Sequence, residues 1–420
     1  MRNALRLALK SLLNRKIATT LSILSIALSA ALLLGIQTLR TSARQSFTGT
    51  VSQTDLIVGA RGGALQLLLY SVFRIGSATN NIKVESWEHF RNLPSVAWTI
   101  PYSLGDSHRG YRVVATNEDF YTRYHYRGDR TIRFRVGHAP SAVLEVALGS
   151  DVAESLHYEP GSRIALTHGV SSTGLVSHDD KPFSVTGILD RTGTPVDRSL
   201  YITLQGMEAI HLGWEDGAPQ EAADGSSPAD DLNMLRPKNI TAFLVGAKSR
   251  SAVLRLQREV NQFEAEPLMA IIPGVALAEL WSTIGYAEQA LLLVTSCVLV
   301  TGFFSMLVAL YSTLNERRRE LAVFRSLGMS RWQIAFLLVI EAQFCTLAGV
   351  LVGALMAAGA MLLSRPVVER HFGILLALAS PTWSTLGYLA AVLAAGAVAG
   401  LLPAWSAFRH SLNDGLAIRV

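Results

Sequence analysis

Few residues in this sequence combine the type and the spacing that chemistry demands. His157, His168 and His178 share one stretch, with Asp179 and Asp180 beside the last, and imidazoles with carboxylates are a plausible zinc set. Their spacing is loose and no two are placed for one helix face, so solvated histidines are the simpler reading and no metal site is expected. Glu341 is the other candidate, because it interrupts a long apolar run where an ionised carboxylate is costly and usually has a partner. Pairing or snorkelling, and proton or substrate handling, are both open for it. No Ser/His/Asp order and no pair of carboxylates stands out, which disfavours an enzyme. No G-x-x-x-x-G-K-[ST] phosphate loop occurs, so these residues do not cradle ATP in the usual way. The 2 cysteines, Cys297 and Cys345, both fall in apolar runs, which leaves the polar part of the chain without a disulfide or a Cys-based zinc site.

The elements that must position any function are membrane helices. Half of the 420 residues are hydrophobic, 16% are charged and the mean hydropathy is +0.31, too apolar for an average soluble protein. Crossing about 30 Å of hydrocarbon takes roughly 20 apolar residues. Four runs qualify, at 17–39, 289–315, 332–364 and 381–408. The first is too long for the apolar core of a signal peptide and no small-residue cleavage site follows it. Residues 1–16 carry Ala4, Leu5, Ala8, Leu9, Leu12 and Leu13 on one stripe and Arg2, Arg6 and Lys10 on another, the pattern of an interfacial amphipathic helix.

Basic residues orient such a chain. The N-terminal segment, the loop 316–331 and the tail 409–420 hold 12 Lys and Arg, whereas the loop 365–380 holds 2. Both termini and the 316–331 loop are therefore expected in the cytoplasm, and residues 40–288 outside. That outer segment has 23 basic and 27 acidic residues although the chain as a whole is +5. The positive charge is a topology signal and gives no reason to invoke nucleic acid.

Within 40–288 the pattern predicts an α+β domain. Strands are expected at Asp55–Ala60 and Val96–Tyr102 around a helix near Glu85–Leu93, and again at Ile240–Val245 and Leu268–Ile272 around a helix at Arg250–Gln262. Between them, Phe134–Leu204 reads as a separate β-rich subdomain, with turns at Glu159-Pro160-Gly161 and Asp190-Arg191-Thr192-Gly193. Residues 213–232 are acidic and rich in Gly, Ala, Ser and Pro, a surface loop with a docking or metal-collecting role as the alternative. The apolar run Ala64–Phe73 is either a core helix or a membrane-proximal surface that touches lipid or apolar substrate.

One motif is specific. The second span leads into Asn315-Glu316-Arg317-Arg318-Arg319-Glu320-Leu321-Ala322-Val323-Phe324-Arg325-Ser326-Leu327-Gly328-Met329-Ser330. Leu321, Phe324 and Leu327 can share one face of a short helix, with Arg317, Arg318 and Arg325 on others, and Gly328 can end it. Lipid anchoring by a basic amphipathic loop is the alternative. This run resembles the cytoplasmic loop of the MacB/FtsX permease family, and Pro403-Ala404-Trp405-Ser406-Ala407-Phe408-Arg409 is similar to the family's closing segment. Asp55–Ala60 and Asp180–Leu189 look like elements that recur in the exported domains of such permeases.

The resemblance implies four transmembrane helices with a MacB-like exported α+β domain, in a bacterial inner membrane. It implies no cofactor on this chain, ATP and Mg being bound by a separate cytosolic ABC ATPase dimer that engages Glu316, Arg317, Glu320, Leu321, Phe324, Arg325, Leu327 and Gly328. The absent phosphate loop is a departure from MacB, which carries its motor on the same chain. A motor working as a pair implies a second permease copy, identical or related. Gly349 with Gly353, and Gly396 with Gly400, are small-xxx-small pairs suited to packing within the protomer or to a dimer seam. Export, efflux or release of lipoprotein or lipid-linked cargo is the leading function. An FtsX-like regulator that activates a periplasmic hydrolase is the second, a metal-linked transport system the third, and a periplasmic adaptor is a further possible partner.

Overall fold

The computed structural model describes residues 16–168, 181–211, 235–316, 326, 328–372 and 383–410. Residues before Ala43, in Gly285–Val367 and in Trp383–His410 form one compact unit, and those within Ala43–Ile284 form another. The interfacial helix expected at 1–16 and the acidic loop expected at 213–232 lie, all but Lys16, outside the described residues.

The described helices, in chain order, are α1 (Lys16–Thr50), α2 (Ala64–Val72), α3 (Val84–Arg91), α4 (Asp119–Arg123), α5 (Ser150–Leu156), α6 (Leu204–His211), α7 (Arg250–Asn261), α8 (Pro273–Glu316), α9 (Arg331–Phe372) and α10 (Trp383–His410). The strands are β1 (Leu56–Ala60), β2 (Ile82–Lys83), β3 (Val96–His108), β4 (Tyr111–Thr116), β5 (His125–Tyr126), β6 (Arg130–Thr131), β7 (Phe134–Gly137), β8 (Glu145–Leu148), β9 (Arg163–Ile164), β10 (Thr167–His168), β11 (Phe183–Leu189), β12 (Ser199–Thr203), β13 (Asn239–Ile240), β14 (Ala242–Ala247) and β15 (Leu268–Ile271).

The exported unit is built on one mixed sheet in the order β15-β1-β14-β3-β4-β12-β8-β11-β7. Most neighbours are antiparallel, while β4 with β12 and β8 with β11 are parallel. Strands such as Leu56-Ile57-Val58 and Leu200-Tyr201-Ile202 are apolar at every position because both faces of the sheet are covered. Alternate residues serve different cores. Leu56, Val58, Val113, Leu200 and Phe243 meet α3, α5, α6 and α7 on one face. Ile57, Val114, Tyr201 and Leu244 meet α2, α4 and the first turns of α8 on the other.

Phe134–Leu204 is strand-rich, as its sequence predicts, but it is not set apart. Its strands extend the sheet begun by β1, β14 and β3, because the 13-residue β3 pairs with β14 along its first half and with β4 along its second. The turn at Asp190–Gly193 is held by the buried Asp197 carboxylate, which accepts from Thr192 N at 2.8 Å, Thr192 Oγ1 at 2.8 Å and Gly193 N at 2.6 Å. The run Ala64–Phe73 forms α2, whose Leu67, Leu68, Tyr70 and Val72 are buried against the sheet. Core packing, rather than a lipid-facing surface, accounts for its apolar character.

The other unit is a bundle of four helices long and apolar enough to cross a membrane, at Thr19–Thr50, Pro273–Ser312, Arg331–Val368 and Thr385–Ser406. All four contribute to one core, which includes Ile26, Met306, Ala342, Cys345 and Val392. Large apolar side chains such as Leu293, Leu355 and Leu363 are exposed on the isolated chain, as lipid-facing residues are.

Two helices continue beyond the apolar runs that define their spans. The first run ends at Arg40 and the second begins after Glu288, yet α1 continues to Thr50 and α8 starts at Pro273. A charge ends a hydrocarbon span without ending a helix, and these two charges satisfy each other, with Arg40 Nε 2.9 Å from a Glu288 carboxylate oxygen. Pro273 at the first helical position needs no N–H partner. Beyond these charges both helices join the exported unit's core. The Phe47 ring of α1 lies tilted against Phe73 at 4.4 Å between centroids and meets the Trp281 ring of α8 edge-on at 5.8 Å.

Candidate functional site

The Glu316–Gly328 motif lies between α8 and α9. Glu316 is the last residue of α8, while Arg317, Glu320, Leu321, Phe324, Arg325 and Leu327 lie outside the described residues. Gly328 is described and has a φ of +96°, a left-handed conformation that glycine adopts without strain. Two residues later Ser330 starts α9 with a reciprocal cap. Its N–H donates to Gln333 Oε1 at 2.8 Å and its hydroxyl accepts from Gln333 N at 3.3 Å. The spacing Ser330-x-x-Gln333 is the legible signal for this boundary. Trp332, exposed at the same end, has the place of an interfacial anchor.

The four span glycines sit where backbones approach closely. A methyl group at Gly349 would meet Ile26 Cβ at 2.7 Å, and one at Gly353 would lie 2.5 Å from the Ala27 carbonyl oxygen, so both abut α1. Gly396 abuts the Thr346 side chain and Gly400 the Ala342 Cβ at 2.7 Å, both on α9. Packing within the protomer thus occupies both pairs. Gln343, on the same helix, donates from Nε2 to the Leu393 carbonyl at 2.9 Å, a link between α9 and α10 whose signal in the sequence is a lone amide in an apolar run. Glu341 is 2% exposed, one turn before Cys345 on the same helix.

The histidines are not brought together as a set. His157 is exposed and ends α5 with a φ of +55°, its N–H bonded to the Ala153 carbonyl. His168 pairs with Asp106 in backbone register between β10 and β3, and His178 lies outside the described residues. Among the described residues no group of three or more His, Cys, Asp or Glu is arranged to hold a metal ion. The buried imidazole is His108, which the sequence does not single out. Its Nδ1 lies 2.6 Å from the Ala165 carbonyl and its Nε2 3.0 Å from the Tyr158 hydroxyl. Burial holds its pKa below the usual histidine value, against the opposing pull of that carbonyl.

Residues 19–263 match the MacB-like periplasmic core domain and residues 292–412 the FtsX-like permease C-terminal family. The chain belongs to the MacB/FtsX permease family. It is thus a multi-pass ABC transporter permease, and members of this family work with ABC ATPase partners. No curated protein matches it in sequence. Similar solved structures include the periplasmic region of MacB from Actinobacillus actinomycetemcomitans, at 10% identity and a TM-score of 0.34, covering 55% of this chain and 94% of that one. The extracellular domain of the noncanonic ABC-type transporter YknZ from Gram-positive bacteria is similar at 10% identity and a TM-score of 0.30, covering 51% of this chain and 98% of that one.

Proposed function

We propose that this permease transmits mechanical work, turning ATP-driven closure of a cytosolic ATPase pair into movement of its exported domain. The observation that carries this reading is that α1 and α8 each supply residues both to the membrane bundle and to the core of the exported domain. A displacement at the cytoplasmic end of α8 has a continuous hydrogen-bonded helix along which to act, and substrate need not pass through the bundle. The motor would seat on the segment that begins at Glu316, with Leu321, Phe324 and Leu327 filling an apolar groove. Glu316, Arg317, Glu320 and Arg325 would set its register. ATP and Mg would be held by the ATPase, since no phosphate loop occurs in these residues.

The complex would hold two permease copies, identical or related, with two ATPases in a bacterial inner membrane, both termini facing the cytoplasm. Its cargo would be a periplasmic or lipid-anchored molecule that is exported or released. Each apolar side chain of the coupling segment, once buried against the motor, contributes about 1.5–3 kcal/mol. Replacing Phe324 and Leu327 together by Glu is therefore expected to abolish ATPase recruitment while leaving membrane insertion intact, because neither residue lies in a span. Pull-down of the ATPase with the full chain from detergent extracts measures this. Wild-type recruitment by the double variant would sink the coupling role.

A further inference from the structure

The exported unit contains a cavity of mixed polar and apolar lining that the proposed mechanical role does not use. It lies on the α2 side of the sheet, has a volume of about 420 Å³, and is lined by Arg74 and Arg112 together with Ser77, Thr79, Asn80 and Asn81. Arg74 follows the last turn of α2 and Arg112 lies on β4, so two guanidinium groups 38 positions apart in the sequence line the same cavity.

Both cations are half-buried, and each is fixed by a backbone carbonyl. Arg74 donates from Nη1 to Ser71 O, and Arg112 donates from Nη2 to Gly76 O. Arg74 also stacks over the Tyr102 ring, with Cζ 4.6 Å from its centroid. These contacts orient the side chains without neutralising them. The Nε of each is buried with no hydrogen-bond partner, and among the described residues no carboxylate forms an ion pair with either. The charges act on one another: burial and the nearby Arg74 both hold the pKa of Arg112 below the ordinary arginine value. Arg74 has in addition a φ of +61°, a backbone conformation that costs an arginine more than a glycine. Two like charges, partly desolvated and with donors unused, are unfavourable unless something of opposite charge enters.

We propose that Arg74 and Arg112 form a binding site for a phosphate-type oxyanion in the exported domain. A tetrahedral oxyanion presents several acceptors to the two planar donor forks, the geometry in which arginine outperforms lysine. Ser77, Thr79, Asn80 and Asn81 add neutral donors, which suit an anion and offer no counter-charge. The same chemistry is found in a free phosphate ion and in the phosphodiester of a lipid headgroup.

The test uses the full-length protein in an uncharged detergent and buffer free of phosphate and sulfate. Its melting temperature is followed as inorganic phosphate is added, with sodium chloride of equal ionic strength as the control, and calorimetry gives the dissociation constant. The melting temperature is expected to rise with phosphate beyond the chloride control, as it does for any ligand that binds only the folded state. Arg74→Gln and Arg112→Gln are each expected to weaken phosphate binding at least about tenfold, because each removes a charge-assisted contact. Ser77→Asp, at an exposed position on the cavity wall, supplies a carboxylate internally. It is expected to raise the phosphate-free melting temperature and to abolish the phosphate response, so the proposal stays testable if an arginine variant does not fold. A parallel titration with glycerophosphoglycerol separates the two sources. Tighter binding than phosphate assigns the site to a lipid headgroup, and weaker binding to the free ion. Equal melting of the wild type in phosphate and chloride, or an undiminished phosphate response in Ser77→Asp, would overturn the proposal.

Discussion

Replacing Gly353 by alanine is expected to loosen the bundle, although alanine is by itself the better helix former. The new methyl carbon would lie 2.5 Å from the Ala27 carbonyl oxygen, 2.8 Å from Ala30 Cβ and 3.1 Å from Ala31 N, all of them on α1. Two of these atoms are backbone and the third is a Cβ, so none can turn aside by a rotamer change, and α1 and α9 must separate by several tenths of an ångström. Overpacking of this kind costs about 1–3 kcal/mol, while exchanging glycine for alanine within a helix returns about 1 kcal/mol. The net effect of Gly353→Ala is then a loss of roughly 0–2 kcal/mol, from these two figures together. Gly359 on the same helix is the control, because a methyl group there meets nothing within 4 Å. Gly359→Ala keeps only the gain. Unfolding of the full chain in mixed micelles by increasing dodecyl sulfate, followed by far-ultraviolet circular dichroism, compares the two. The gap between them isolates the contact, since apolar lipid supplies no hydrophobic drive to hold helices together once their close approach is lost. If Gly353→Ala is as stable as Gly359→Ala, the approach of α9 to α1 is not as described.

Two further outcomes are expected. Burial and, after it, the charge of Asp197 raise the Asp151 pKa to about 6 from an ordinary 3.8, with Arg191, 3.3 Å away, opposing them. Asp151 therefore favours the fold while protonated, below about pH 4, and that contribution is lost as pH rises through about 6. Allowing for its partial exposure to solvent, Asp151→Asn should gain about 1–2 kcal/mol on the wild type between these limits. Thermal melting of the full chain across that range measures the gap, and a constant gap would contradict the assignment. For orientation, a cysteine placed at Ser330 in a chain lacking Cys297 and Cys345 should resist a membrane-impermeant thiol reagent applied to intact cells. Labelling from outside would reverse the proposed topology.

Much of the membrane architecture was legible because its physics is local. A run of apolar residues long enough to cross hydrocarbon needs no knowledge of neighbours, and the runs around Leu28, Leu299, Val350 and Val392 correspond to the four long helices. The strands at Leu56–Ala60 and Leu268–Ile271, and the helix between Arg250 and Asn261, were equally readable from turn signals and side-chain type. The run that ends at Gly328 resembles the family by motif, although most of its residues lie outside the described residues. What local pattern could not convey was partnership. Composition did not distinguish whether Ala64–Phe73 was core or surface, since a buried helix and a lipid-facing one look alike until the sheet that covers it is present. Gly349, Gly353, Gly396 and Gly400 announced close approach without saying to what, and only the fold set them against α1 and α9. Arg40 and Glu288 bound two apolar runs, but a charge is costly only in lipid, and both helices continue past the ion pair that these residues form. Nothing local sets Arg74 and Arg112 apart from the other 35 Lys and Arg residues of the 37; β4 and the end of α2 bring them to one cavity. Period and hydropathy are properties of neighbours in the chain, whereas charge pairing, steric fit and shared cavities belong to residues that only tertiary packing makes neighbours.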